Sequence, residues 1–282
     1  GAGMIAVRSR SGRLGRGALI AFCALVFAFL VLPILAVVPL SLNPGGFLVF
    51  PEGGLSLRWY RTLADSPQWT HAFGNSFKIA VATTAIATPL GTLAAIGLSH
   101  MRSRAKPVIV ALISAPLVMP IVVVAVAFYF LFAPLGLVNG PVGLVIAHSA
   151  LALPFVVIVV HASLSGLDPD LLRAAASLGA PPLTQLVRVL APLAAPGIAA
   201  GAVFAFMTSF DETTVALFIA GPEQRTLPIQ MFEGVREQIS PAIAAAATLL
   251  IVASTLLLGT AELLRRRGER LRTGSAAPDV GA

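Results

Sequence analysis

Charge is scarce in this chain: Asp, Glu, Lys and Arg together make up 11% of its 282 residues, where a soluble domain carries about 25%. Cysteine is almost absent. The single Cys23 sits in an apolar run, so no disulfide and no cysteine metal site can form within one chain. No Gly-x4-Gly-Lys-Ser/Thr phosphate loop occurs, so the chain is not expected to hydrolyse a nucleotide itself. It also lacks His-Glu-x-x-His, a Cys pair, and any Ser/His/Asp set within plausible reach. Metal chemistry, a hydrolase and an intramembrane protease are therefore left without residues to carry them. Acids are fewer than bases, 12 against 19, for a net charge of +7. In a soluble protein that balance would suggest nucleic acid; here it reads as a membrane topology signal, and no nucleic-acid partner is expected.

Apolar residues are abundant, at 57% hydrophobic, with a mean hydropathy of +0.91. A soluble protein of this size could not hide so much apolar surface, so the solvent is lipid. The 25 Gly and 21 Pro fit membrane helices, which tolerate both. Runs of about 20 residues are needed to cross the hydrocarbon. Six qualify, at about 18–42, 73–99, 107–133, 142–164, 194–220 and 241–263. The expected fold is all-α, with a six-span membrane domain over 18–265 between an N-terminal tail, 1–17, and a C-terminal tail, 266–282. The first span is long and has no small-residue cleavage site, so it reads as an anchor; residues 1–3, ahead of Met4, are set aside. No window shows the alternation of a membrane barrel strand.

Lys and Arg give the expected orientation. Fourteen of the 19 fall in 1–17, 100–106, 166–192 and 264–272, against Arg58, Arg61, Lys78, Arg225 and Arg236 in or beside the other segments. Both termini and the 166–192 loop are then cytoplasmic. Trp59 and Tyr60 suit an interfacial belt, and residues 56–63 read as a short helix on the outer surface.

The cytoplasmic loop has the chemistry of a short capped helix. Asp168 is a good N-cap, Pro169 suits the first helical position, and Asp170 favours the positive helix start. Leu171, Leu172, Ala174, Ala175 and Leu178 give an apolar side, and Gly179 supplies a left-handed stop. About ten residues of helix result. Pro181 and Pro182 start a second segment, and Pro192 and Pro196 punctuate the beginning of the fifth span. Two readings fit: a helix resting on lipid headgroups, or a docking surface whose Ala174, Ala175, Ala176 and Gly179 let another protein's backbone come close.

An ionisable group within a span is a functional candidate by default, because it is costly unless paired or hydrated. Asp211 lies about 22 Å from Pro196 along a continuous helix, and Glu212 points about 100° away from it. One could line a solute path while the other caps or pairs. Their alternatives are an anionic lining for a cationic solute, or polar contacts with a partner membrane protein or with the outer loop, for instance Arg225. His148 is either a hydrogen-bonded interhelical histidine or a solute contact. His161 lies near the inner end of the fourth span and reads as interfacial. Phe128, Tyr129 and Phe132 are packing or a solute gate. Asn75 reads as a cap of the second span, Pro116, Pro120 and Pro154 as kinks, and Glu262 with Arg265 and Arg266 as a surface ion pair.

These residues also carry a resemblance. Arg173-Ala-Ala-Ala-Ser-Leu-Gly179-Ala, followed by Arg188-Val-Leu-Ala-Pro192 and Pro196-Gly-Ile, resembles the EAA loop of permease subunits of ATP-binding-cassette importers. That pattern is Glu-Ala-Ala, three residues, Gly, about nine residues, then an apolar residue before Leu-Pro. Ala174, Ala175 and Gly179 match. Arg173 stands where the family has Glu, Ala191 where it has Leu before Pro192, and Pro181 where a capping Ser is common. Residues 75–80, 115–120, 146–155 and 209–212, with Gly221-Pro222 and Leu227-Pro228, are similar to the second permease of spermidine/putrescine-type importers, although Ile121 stands where polyamine permeases often have an acid. The resemblance covers about 18–265.

It implies a type I ABC importer permease fold with six transmembrane helices, forming half of a pore in the bacterial inner membrane. A second permease subunit, two copies of a cytoplasmic ATP-binding subunit and a periplasmic solute-binding protein would complete the system. ATP and Mg would be bound by the ATPase, with no cofactor in this chain. Leu172, Arg173, Ala174, Ala175, Leu178, Gly179, Ala180 and Pro181 would form the ATPase-coupling surface; Phe210, Asp211, Glu212, Tyr129 and His148 would line the substrate path. The implied solute is a polyamine, with another small organic solute as the alternative. A self-sufficient secondary transporter would instead show inverted repeats and intramembrane charge pairs, and no clear repeat is seen.

Overall fold

A computed structural model of the chain describes residues 10–51, 53–167, 170–237 and 240–274. The elements are α1 (Arg10–Ser41), α2 (Arg58–Asp65), α3 (Pro67–His100), α4 (Lys106–Val118), α5 (Ile121–Phe132), α6 (Pro141–Ser165), α7 (Asp170–Ser177), α8 (Pro182–Gln185), a π-helical turn Leu186–Leu190, α9 (Ala191–Phe210), α10 (Thr214–Ile219), a 3-10 turn Pro222–Gln224, α11 (Leu227–Glu237) and α12 (Pro241–Gly274). Among the described residues there is no strand. Lipid offers a backbone no hydrogen bonds, so an all-helical chain is what such a composition demands.

Five helical stretches are long and apolar enough to cross a membrane: Gly17–Ser41, Pro67–His100, Pro141–Ser165, Pro182–Phe210 and Pro241–Leu263. A sixth exists if α4 and α5 count as one span. They do not form the straight helix expected over 107–133. The pair bends by 105°. Pro120 disfavours α-helical geometry at the residue before it, and Met119 is extended, with ψ of 142°. The fifth span also differs from expectation. It starts at Pro182 rather than near 194 and stops at Phe210, with a break before α10. Pro192 and Pro196 lie inside it rather than ahead of it. Neither has an N–H to give to the carbonyl four residues back, and the widened π turn sits just before Pro192, where the ladder is already interrupted.

The chain divides into two compact units, Gly1–Leu63 with Gly234–Leu249, and Ala64–Glu233 with Leu250–Ala282. In the first, α1 exposes bulky side chains such as Phe22, Leu25 and Phe29, which suits lipid or another membrane protein as its surroundings. Its C-terminal end is tied to α2. The Trp59 indole N–H donates to the carbonyls of Asn43 and Gly45, and the hydroxyls of Tyr60 and Ser41 lie 2.6 Å apart. The two aromatics thus latch a turn as well as suiting an interface.

The second unit is built on α6, packed between α3 and α9. Small residues make that possible. A Cβ added to Gly91 on α3 would come within 2.7 Å of Val156 on α6, and one on Gly197 of α9 would collide with Ser163. With no hydrophobic driving force between helices in lipid, such close approach supplies the van der Waals contact that holds them. One apolar cluster joins Val124, Ala125 and Phe132 of α5 to Leu144, Ala147 and Leu151 of α6 and to Val215, Ala216 and Ile219 of α10. A second joins Ala87, Ala95 and Leu98 of α3 to Val156, Val157 and Val160 of α6 and to Ala194 and Ala205 of α9. Gly91→Val forces side-chain bulk into a filled seam and should cost about 1–3 kcal/mol. A lower melting temperature of the purified variant checks it; melting indistinguishable from the parent would refute the seam.

Candidate functional site

Two places concentrate unusual chemistry, one at each end of the 29-residue stretch Pro182–Phe210, which at 1.5 Å per residue is roughly 43 Å long. The first is α7. It has eight residues, shorter than the expected ten, and the proposed cap Asp168 and Pro169 lie outside the described residues. Its end is sharply defined. Gly179 has φ of +79°. The Ala180 N–H donates to the Ala175 carbonyl at 3.1 Å and the Gly179 N–H to the Ala176 carbonyl at 2.9 Å. That pair of bonds is the Schellman stop, which favours a glycine at the left-handed position. Gln185 Nε2 then donates to the Ala180 carbonyl at 2.7 Å, and Pro181 continues as extended chain.

The apolar residues of α7 differ in exposure. Leu172 and Ala175 are half-buried, and Leu172 packs against the α3–α6–α9 cluster. Leu171, Ala174 and Leu178 are exposed, Leu178 to 88%. Spacings of three and four residues place those three on one face. Arg173 pairs with Asp170 at 2.7 Å, both side chains largely in solvent, so the bond itself adds little stability. Its consequence is electrostatic: the arginine is partly balanced by an acid of its own helix.

The second place is the break after α9. Here the two acids separate into distinct roles. Both carboxylate oxygens of Glu212 accept the Val215 N–H, at 3.0 and 3.1 Å, and one also accepts the Ala216 N–H at 3.3 Å. Glu212 thus closes the open N-terminus of α10, whose first N–H groups have no helical partner. Asp211 is the C-cap of α9 rather than a residue inside a continuous helix; its N–H donates to the Met207 carbonyl and its side chain is exposed. Arg225 does not reach either acid. It pairs with Glu233 at 3.1 Å.

Phe210 is buried beside Asp211, stacked on Phe206 at 5.4 Å and meeting Phe73 edge-on at 6.0 Å, while Phe77 meets Phe206 at 5.9 Å. Phe73 and Phe77 are about half exposed. This aromatic group escaped the sequence reading, although both pairs, 73/77 and 206/210, stand four apart. Tyr129 is 40% exposed on α5, and its neighbours Phe128 and Phe132 pack together, Phe132 in the core. His148 is 1% exposed; its Nδ1 lies 2.9 Å from Ser209 Oγ, which donates to Thr83 Oγ1 at 3.3 Å. The structure therefore favours the interhelical reading of His148 over a solute contact, and it links α6, α9 and α3. Asn75 is not a cap: α3 begins eight residues earlier, and Asn75 Nδ2 donates to the carbonyls of Glu223 and Arg225 at 2.7 and 3.0 Å. His161 is half-buried near the end of α6, and Glu262 pairs with Arg266 at 2.6 Å.

Residues 87–270 match the family of binding-protein-dependent transport system inner membrane components, and the chain belongs to it. Among curated relatives, the spermidine/putrescine transport system permease protein PotC of Escherichia coli K12 is 34% identical over 263 residues, covering 93% of this chain and 98% of that protein. The putrescine transport system permease protein PotI of the same strain is 34% identical over 253 residues, covering 87% and 90%. The sulfoquinovosyl glycerol transport system permease protein SmoH of Agrobacterium fabrum is 30% identical, covering 74% of each. Among solved structures, a bacterial ABC transporter importing the acidic polysaccharide alginate superposes with a TM-score of 0.69 at 16% identity, over 90% of this chain and 97% of that one. The methionine transporter MetNI gives 0.57 at 18% identity, over 76% and 99%. These likenesses establish the fold, a type I ABC importer permease.

The separated acids make a direct prediction. Glu212→Ala strips the cap of α10 and should destabilise the protein by about 0.5–2 kcal/mol, whereas Asp211→Ala should stay within about 0.5 kcal/mol. Thermal melting of the two purified variants checks it; equal losses would show that both acids are structural.

Proposed function

We propose that this permease forms half of a translocation pore for a small cationic solute of the polyamine class, with α7 as its coupling helix. In this reading both termini and α7 face the cytoplasm, in accord with the Lys and Arg distribution. A second permease subunit completes the pore. Two copies of an ATP-binding subunit drive it, and a periplasmic solute-binding protein delivers the solute to the far end; a solved relative of this fold was captured with its periplasmic protein bound. ATP and Mg belong to the ATPase.

The observation that carries the coupling role is the exposed face Leu171, Ala174 and Leu178 on a helix stopped by Gly179. An exposed apolar face on a surface helix, with Leu178 exposed to 88%, suits another protein's cleft. Ala174 on that face leaves room for close approach. Closure of the ATPase on ATP would draw the coupling helices of the two permeases together, and the rigid connection through Ala180 and Gln185 would pass that movement into the Pro182–Phe210 helix.

The solute assignment rests on the named polyamine permeases together with Asp211. Its carboxylate has no described partner and stands next to the Phe210–Phe206–Phe73 group. Exposed carboxylate and aromatic faces both attract ammonium groups. Glu212 and His148, engaged in structure, are left out of the solute path, and Tyr129 stays in it as an exposed aromatic.

Two variants separate the roles. Gly179→Val, at a left-handed backbone position, should leave the permease folded but sever transport from ATP hydrolysis. Asp211→Asn should preserve ATPase stimulation by the loaded binding protein and lower uptake of putrescine or spermidine roughly tenfold, the effect of about 1.4 kcal/mol. Uptake unchanged by Asp211→Asn across a polyamine panel would refute the acidic lining; coupling unchanged by Gly179→Val would refute the role of α7.

A further inference from the structure

Beneath the coupling helix lies a second site. A cavity of about 480 Å³ opens between the end of α3, the end of α6, α7 and the π turn. That volume is within the range of small-molecule sites. The lining is two-sided. Leu164, Leu190 and Leu193 form an apolar wall, and His100, Arg102, His161 and Arg173 supply the polar one. Among the described residues, no Asp or Glu lines it.

The basic groups are not equivalent. Arg173 is held by Asp170 at 2.7 Å. His100 Nδ1 is engaged with the Ile96 carbonyl at 2.9 Å and faces the Ser99 hydroxyl at 3.0 Å. Arg102 stands in the extended turn directly after α3 and has no partner among the described residues. His161 presents the accessible part of its ring to the cavity, while its Nδ1 is buried with no partner among the described residues. A buried polar atom left unmatched is costly, and an unpaired guanidinium at a cavity mouth is a ready-made anion contact. Both lie at the ends of helices long enough to span a membrane, where headgroups are found.

We propose that this cavity binds a phosphate group, with Arg102 as its charged anchor and His161 as a second donor, and that the leucine wall makes a phospholipid the favoured source. A basic pocket between spanning helices, backed by hydrocarbon, has the chemistry of an anionic headgroup site. Inorganic phosphate would use only the polar wall; a lipid phosphate with its glycerol and first methylenes would use both. Because α7 forms one side of the cavity, an occupant would brace the coupling helix against α3 and α6. The site makes transport sensitive to the lipid around it, through Arg102 and His161, which lie outside the exposed docking face.

The test uses the full chain in nanodiscs of phosphatidylcholine alone or mixed with phosphatidylglycerol. Native mass spectrometry reads which lipid stays bound, and thermal melting reads stability. Phosphatidylglycerol is expected to be retained over phosphatidylcholine, with Arg102→Gln lowering its retention roughly tenfold or more and Arg102→Lys restoring much of it. Arg102 is exposed, so the substitution leaves the fold intact, and His161→Asn serves as an independent second variant. In a parallel arm, inorganic phosphate is added to the phosphatidylcholine discs. A melting shift that depends on Arg102 there, without lipid retention, assigns the phosphate to solution rather than to the bilayer. Equal retention of both lipids together with no phosphate effect, or results in both arms blind to Arg102→Gln, overturns the site. None of these readouts requires solute or ATP, so their failure is distinct from failure of the coupling or solute assignments.

Discussion

A backbone polar group in lipid has no water to turn to, and that constraint shapes this chain. Wherever the helix ladder continues, the groups are satisfied in place. Wherever it stops, something local must take over, and those stops are where the chemistry lies. At Gly179 the freed carbonyls of α7 accept the N–H groups of the Schellman turn. At Asp211 the ladder of α9 ends and Glu212 accepts the first free N–H groups of α10. At Met119 and Pro120 the third span breaks altogether. The continuous helices between these stops are packing material, held by glycines that bring α3 and α9 against α6.

This arrangement links the two ends of the permease. The π turn, α9 and the Asp211 break follow one another from α7 to the far end of the Pro182–Phe210 stretch. Along it, His148 ties α6 to Ser209 and hence to Thr83 on α3. Such a buried polar link fixes the register of three helices, which apolar side chains of similar shape would leave loose. A displacement of α7 would therefore move a registered bundle. Arg173 sits at the solvent side of α7 and is partly balanced by Asp170. The rest of its exposed face, Leu171, Ala174 and Leu178, is apolar.

Composition and spacing made much of this legible. Hydropathy alone located the six apolar runs, because a lipid solvent leaves few alternatives to long helices. The Gly179 stop of α7 was readable because capping is local chemistry, whereas the expected cap, Asp168, lies outside the described residues. What the sequence could not show were contacts made across the fold. Asn75 looked like a cap because nothing local reveals that Pro67 starts α3 earlier or that the carbonyls of Glu223 and Arg225 lie within reach. Asp211 and Glu212 looked like neighbours in one helix; only the position of the break shows that one caps and the other is free. The 105° bend was foreshadowed by Pro120, whose effect on Met119 is local, but its size depends on the packing of α5 against α6 and α10. The cavity under α7 needed four separate segments to come together and left no local signature.

The central claim is that Leu178 and its neighbours on α7 occupy a cleft of a cytoplasmic ATPase. Site-specific cross-linking tests it most directly. In a chain carrying Cys23→Ala, Leu178→Cys should cross-link to the co-purified ATPase subunit in a manner that changes with ATP, while Leu55→Cys should not. Cross-linking at Leu178→Cys that yields no ATPase adduct, with or without ATP, would contradict the account.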